Sequence, residues 1–164
     1  MRWIREPKEL NMKRLLGLLL VMGMVGCGKT VDASKLVKRN DRLTYEGDSE
    51  TPFTGVGVRK HKNGQKAAEI TYRDGKLEGL WTMWRPNGQK RKEATFKDGK
   101  PEGPTTMWYD NGQKWEEANY KDGKPEGPYT SWHKNGQKQS EATFKDGKLV
   151  SETKWDEEGN EIKK

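Results

Sequence analysis

The sequence predicts an all-β protein: an elongated single-sheet antiparallel meander built from 24-residue β-hairpin repeats. Three observations carry that prediction. The tetrapeptide Asn-Gly-Gln-Lys recurs at 63–66, 87–90, 111–114 and 135–138, always at a step of 24 residues. The tripeptide Asp-Gly-Lys keeps the same step, starting at Asp74, Asp98, Asp122 and Asp146. In phase with both run Gly55, Gly79, Gly103 and Gly127, the acids Glu69, Glu93, Glu117 and Glu141, and the aromatics Tyr72, Phe96, Tyr120 and Phe144. Self-similarity at a fixed period marks a repeat architecture, in which each unit packs on its neighbours.

Within a unit, two turn signals imply two strands. The pairs Asn63-Gly64, Asn87-Gly88, Asn111-Gly112 and Asn135-Gly136 read as type I′ turns with positive φ at both central residues, and the Asp-Gly pairs read the same way. Between them, segments such as Leu80-Trp81-Thr82-Met83-Trp84 and Glu93-Ala94-Thr95-Phe96 are rich in β-formers and flank one Asn-Gly. Helices are excluded, because Gly would interrupt each within about eight residues and Pro86, Pro101, Pro104, Pro125 and Pro128 add further breaks. Those prolines fall near turns or just after Gly103 and Gly127, where a ladder donor is lost at low cost.

Alternation sets Ile70, Ala94, Ala118 and Ala142 on the same side as Tyr72, Phe96, Tyr120 and Phe144. Trp84, Trp108 and Trp132 make a further in-phase stripe, and the glycines at 79, 103 and 127 are expected to leave room for neighbouring rings. The expectation is one hydrophobic face on an otherwise polar sheet. The array frays at both ends: Lys60 stands at the first stripe position, and the last hairpin, from Trp155 to Asn160, is one residue short.

Ahead of the repeats lies a different kind of chain. Lys13 and Arg14 precede an uncharged run from Leu15 to Gly26, too short for a transmembrane helix but of the length of a signal-peptide core. It ends in Met24-Val25-Gly26-Cys27, with small residues before the single cysteine of the chain. Residues 1–26 are therefore expected to be a lipoprotein signal peptide, with translation starting at Met12, since Met1 to Asn11 make an unusual leader. Cys27 is the expected lipidation site, a palmitate-labelled anchor. Residues 27–50 are expected to be a tether or irregular cap, with Leu36 to Tyr45 pairing as a capping strand, and 51–164 four to five repeats.

Composition sets bounds on function. The chain is 35% charged and 30% hydrophobic, poor material for an ordinary globular core. Removing residues 1–26 takes away five basic and two acidic side chains, and the formal charge falls from +7 to +4. The cations are spread among carboxylates, so no nucleic-acid partner is expected.

The unit from Asp98-Gly99-Lys100-Pro101-Glu102-Gly103 through Trp108-Tyr109-Asp110-Asn111-Gly112-Gln113-Lys114 to Glu117 and Tyr120 resembles the MORN-repeat variant. The resemblance runs from about Phe53 to Asn160. It implies a hairpin array with a binding or scaffolding role and carries over no catalytic residue. Bacterial proteins with such repeats are commonly labelled antitoxins of the YwqK type, and many carry signal peptides or lipoboxes. The resulting functional expectation is a non-catalytic lipoprotein of the bacterial cell envelope, in the outer membrane if the organism has one, binding a protein or glycan. The alternative is the antitoxin or immunity protein of a toxin–antitoxin pair.

Candidate sites follow from what the repeat does not explain. Trp81, Tyr109, Trp115 and Tyr129 depart from the stripes without a periodic partner and are the candidate binding residues; Tyr72, Trp84, Phe96, Trp108, Tyr120, Trp132 and Phe144 are the expected repeat core. His61 and His133 each precede an Asn-Gly turn and read as solvent-exposed loop residues. Turn chemistry accounts for the periodic aspartates, so neither a metal nor a cofactor is expected.

Overall fold

The computed structural model describes residues 28–163. The expected signal segment, the start at Met12 and Cys27 lie outside them. The first strands are β1 (Lys29–Asp32), β2 (Leu36–Lys38), β3 (Thr44–Glu46), β4 (Gly55–Lys60), β5 (Lys66–Arg73) and β6 (Lys76–Trp84). They are followed by β7 (Lys90–Lys97), β8 (Lys100–Trp108), β9 (Lys114–Lys121), β10 (Lys124–Trp132), β11 (Lys138–Lys145) and β12 (Lys148–Lys154). Ten strands form one sheet in the order β1-β4-β5-β6-β7-β8-β9-β10-β11-β12, while β2 and β3 pair apart from it. From β4 to β12 each strand lies antiparallel to its neighbour in sequence. The all-β meander of successive hairpins is the fold.

The two turn signals do not make the same turn. At Asp74-Gly75, Asp98-Gly99, Asp122-Gly123 and Asp146-Gly147 both residues have positive φ, from 48° to 52° for the aspartates and 76° to 83° for the glycines, as a type I′ turn requires. In the Asn-Gly pairs only the glycine does. There the carbonyl of His61 accepts the N–H of Gly64 at 2.9 Å and the N–H of His61 reaches the carbonyl of Gln65 at 2.8 Å. The loop is thus a type I turn closed by a left-handed glycine bulge, not the expected type I′ turn. The asparagine explains the choice: its Oδ1 accepts the N–H two residues on, at 3.1 Å from Asn63 to Gln65 and 3.0 Å from Asn111 to Gln113.

Gly79, Gly103 and Gly127 also serve another purpose than expected. They lie opposite Phe96, Tyr120 and Phe144, yet a Cβ on Gly103 would meet nothing nearer than Thr95 at 4.0 Å, and one on Gly127 nothing within 4 Å. Room for the ring is not the constraint. Their φ values of 79° to 87° are, because the ladder to the preceding strand bulges there: Ala94 pairs with Thr105 and Phe96 with Pro101, so between these pairs one residue of β7 faces three of β8. Pro104 falls within that interruption.

The two ends are finished differently. Lys29–Asp32 adds a parallel strand beside β4, so the capping strand precedes the predicted stretch. The span from Leu36 to Tyr45 instead contributes to the separate β2–β3 hairpin. Tyr45 and Phe53 are buried there, and Phe53 meets Tyr72 edge-on at 5.8 Å. At the far end the tail folds back on β12 through a bridge between Trp155 and Glu161, and Ile162 donates to the Lys154 carbonyl at 2.8 Å. That bond occupies part of an otherwise open edge.

Candidate binding surface

The sheet is one layer thick over the repeats, and its two faces differ. On the first, cross-strand register lines up Ile70, Trp81, Ala94, Thr105, Ala118, Tyr129 and Ala142. Large and small residues alternate, so rings lie down over alanines: Ala68, Ala94, Ala118 and Ala142 are at most 8% exposed. Trp81 packs edge-on against Phe96 at 5.7 Å, and Tyr129 against Phe144 at 5.9 Å, contacts that add about 1 kcal/mol each beyond area burial. Among the described residues no large side chain is fully buried, because no second layer covers this face.

Trp84, Trp108 and Trp132 alternate with Met83, Met107 and Ser131 and therefore project from the opposite face. The apolar side chains are divided between two faces, not gathered on one as expected. Lys66, Lys90 and Lys114 lie over these indoles at 5.7, 5.8 and 5.9 Å while pairing with Glu69, Glu93 and Glu117. The glutamates alternate with Thr82, Thr106 and Thr130 across the strands. This face repeats with little variation.

Both rims are tied from unit to unit. On the Asn-Gly rim, the residue two before each asparagine bonds to the carbonyl of the next unit's tryptophan: His61 to Trp84 at 2.9 Å, Arg85 to Trp108 at 2.7 Å, Tyr109 to Trp132 at 2.8 Å and His133 to Trp155 at 2.9 Å. Four side chains of three chemistries make one bond, because each presents a donor at similar reach. A carbonyl can only accept, so each histidine carries its proton on Nε2. Asn63, Asn111 and Asn135 add a second tie, donating to carbonyls of the next loop at 2.8, 2.9 and 2.8 Å. On the other rim, Glu78, Glu102 and Glu126 accept the N–H of Asp98, Asp122 and Asp146 at 3.0, 2.7 and 2.7 Å.

Where the units differ from one another, they differ together. The turns, the Lys-Glu pairs and the alternating alanine and aromatic rows hold through the array, whereas the equivalent positions 57, 81, 105 and 129 read Gly, Trp, Thr and Tyr. Positions 59, 83, 107 and 131 read Arg, Met, Met and Ser; 67, 91, 115 and 139 read Ala, Arg, Trp and Gln; and 68, 92, 116 and 140 read Ala, Lys, Glu and Ser. Register puts Met83 opposite Lys92 and Met107 opposite Glu116, beside Trp81 on the alanine-lined face. These varied positions gather in one band next to the Asn-Gly rim.

That band is hollowed into a groove of about 760 Å³ over β6 to β9, floored by Met83 and Met107 and flanked by Trp81, Tyr109 and Trp115. Trp115 is 43% exposed and tilts 48° against Tyr109 at 6.3 Å. Arg85, Arg91, Lys92 and Lys134 also line it, against Asp110 alone. Asp110 is engaged by Lys134 at 2.9 Å, a hydrogen bond and charge that hold its carboxyl below the usual range. Lys92 sits 5.4 Å from the Trp81 ring, and neither it nor Arg91 has a carboxylate partner among the described residues. The indole N–H of Trp81 and the Nε–H of Arg85 are buried with no acceptor.

The predicted candidates thus divide. Trp115 is exposed, Trp81 half-buried in the groove wall, and Tyr129 half-buried farther along, its hydroxyl 3.2 Å from Glu116 and its pKa raised by burial and by that carboxylate. Tyr109 has periodic partners after all, since it is the counterpart of His61, Arg85 and His133. Both histidines are half-buried ties between units instead of exposed loop residues. The cations Arg91 and Lys92 and the two methionines were missed; the signal that finds them is variation between units at fixed register. Among the described residues no three His, Cys, Asp or Glu are placed to hold a metal, and no helix is long and apolar enough to cross a membrane.

An array of this kind, with an unvarying frame and a varied band on one face, defines a linear repeat protein that offers a continuous binding surface. Its segments 77–98, 101–122 and 125–146 match the family described as MORN repeat variant, so the chain carries at least three repeats of that type. No curated protein matches the chain.

Proposed function

We propose that this protein is a lipid-anchored scaffold of the bacterial cell envelope, held by Cys27 and binding a protein partner through the varied band of its repeat sheet. The observation that carries the binding role is the contrast within each unit: the bonds that tie the array together are kept from unit to unit, and the side chains that face the groove change. A partner reads differences, and the groove side gathers several of them side by side. The anchor rests on the uncharged run from Leu15 to Gly26 ending at Cys27. Extracellular presentation suits a surface whose frame is secured by local ties without a cysteine.

Palmitate labelling with cell fractionation, comparing wild type with Cys27→Ala, tests the anchor. Labelled protein in the membrane fraction, with both properties lost in the variant, is the expected result. Unlabelled protein in the cytosol of both strains overturns it.

A further inference from the structure

We propose that the groove over β6 to β9 is a docking site for an acidic peptide segment with an aromatic anchor, carried by the partner protein; the inference rests on the binding role given above. Three observations converge on the same few residues. The first is charge: among the described residues Arg91 and Lys92 stand at the groove without carboxylate partners, while Lys66, Lys90 and Lys114 on the opposite face are neutralised by Glu69, Glu93 and Glu117. A ligand carrying carboxylates supplies the missing charge.

The second is the orphan donors. Buried N–H groups normally have a partner, and those of the Trp81 indole and the Arg85 Nε have none among the described residues. Both belong to residues that line the groove but lie beneath its surface, so acceptor oxygens of a ligand meet them only as the Trp81 and Arg85 side chains turn toward it. The third is the apolar lining. Met83 and Met107 give an adaptable floor, and Trp115 is left 43% exposed beside Tyr109. Tryptophan, tyrosine and arginine together are the residues that dominate binding at protein interfaces. The Tyr109 and Trp115 rings pack on each other at 6.3 Å with a tilt of 48°, so together they offer an angled aromatic ledge on which a further ring packs edge to face, and not one flat platform for a sugar ring. That geometry favours a peptide over an acidic glycan.

The test uses the mature repeat protein with three labelled polymers: a glutamate–tyrosine copolymer, polyglutamate and polygalacturonate, followed by fluorescence anisotropy at low and high salt. The copolymer is expected to bind most tightly and to weaken with salt. Replacing Arg91 and Lys92 together by Ala should weaken it about tenfold, and Trp115→Ala by a similar factor, as truncations at the centre of an interface do. The matched pair Lys121→Ala and Lys145→Ala, exposed on the Asp-Gly side, should leave binding unchanged. Equal binding of polygalacturonate, or the same loss for the Lys121 and Lys145 pair as for Arg91 and Lys92, overturns the proposal. A photo-crosslinking residue at position 115 and another at 106 on the opposite face separate the two claims. Capture of one envelope protein from 115 only, without copolymer binding, leaves the scaffold standing and removes the acidic-peptide site; capture from neither removes the scaffold reading as well.

Discussion

Tyr109→Phe isolates one inter-unit tie with almost no change in shape. The substitution removes the hydroxyl that donates to the Trp132 carbonyl at 2.8 Å in a half-buried position. A neutral hydrogen bond of this kind contributes about 1 kcal/mol net. With a urea slope of about 2 kcal/mol/M for a chain of this size, the unfolding midpoint should fall by about 0.5 M. The structure also specifies the rescue. Because His61 and His133 make the equivalent bond at 2.9 Å, Tyr109→His should recover most of the loss although it removes an aromatic phenol. Equilibrium unfolding followed by tryptophan fluorescence reads both variants, and a Phe variant as stable as wild type with a weaker His variant would show that the ring, not the donor, is what position 109 supplies.

Two further outcomes follow from the turns. Gly99→Ala, at φ +80° with nothing within 4 Å of the added methyl, should cost only the backbone term of about 1–2 kcal/mol; Gly75→Ala, whose methyl would come within 2.9 Å of Leu43 and of the Thr44 nitrogen, should cost clearly more in thermal unfolding, and equal losses would contradict the packing of the cap on that turn. In the last loop, the Asn160 side chain and backbone, with the Glu158 N–H, hold the Asp156 carboxyl below its usual pKa. A depressed carboxyl lends stability that is complete above the unfolded value of about 3.9 and is lost as pH falls through the lower folded value, so the protection of the Glu158 and Asn160 amides relative to their intrinsic exchange rates should hold down to about pH 4 and fall only below it, and loss of that protection at neutral pH would refute the assignment.

Local chemistry made the strand order and hairpin boundaries legible in the sequence. The Asn-Gly and Asp-Gly pairs mark the reversals, and repeats at a fixed step pair with their neighbours. Other features depend on information a single position does not contain. Asn-Gly suits either of two turns, and the side-chain bond to the residue two further on selects between them. His61, Arg85, Tyr109 and His133 look unrelated as letters, because the trait they share is a donor at one distance. The parallel strand Lys29–Asp32 is set by contact with β4 across more than twenty residues, beyond any local pattern. The division of the tryptophans from the alanine-lined face needed strict counting along β6, β8 and β10, and the groove needed register between strands before its cations and methionines could be seen side by side.

The ties along both rims have a consequence for how such a molecule changes in length. Each of these rim ties spans 20 to 23 residues and joins a unit only to the next. Inserting or deleting one whole unit therefore breaks no tie that the new neighbour cannot remake, while any other length of insertion leaves donors without acceptors on both rims. Two strands at about 4.8 Å each advance the sheet by nearly 10 Å per unit. The protein behaves as a ruler graduated in whole repeats, whose markings are the varied residues of the groove and whose length can change only by complete divisions.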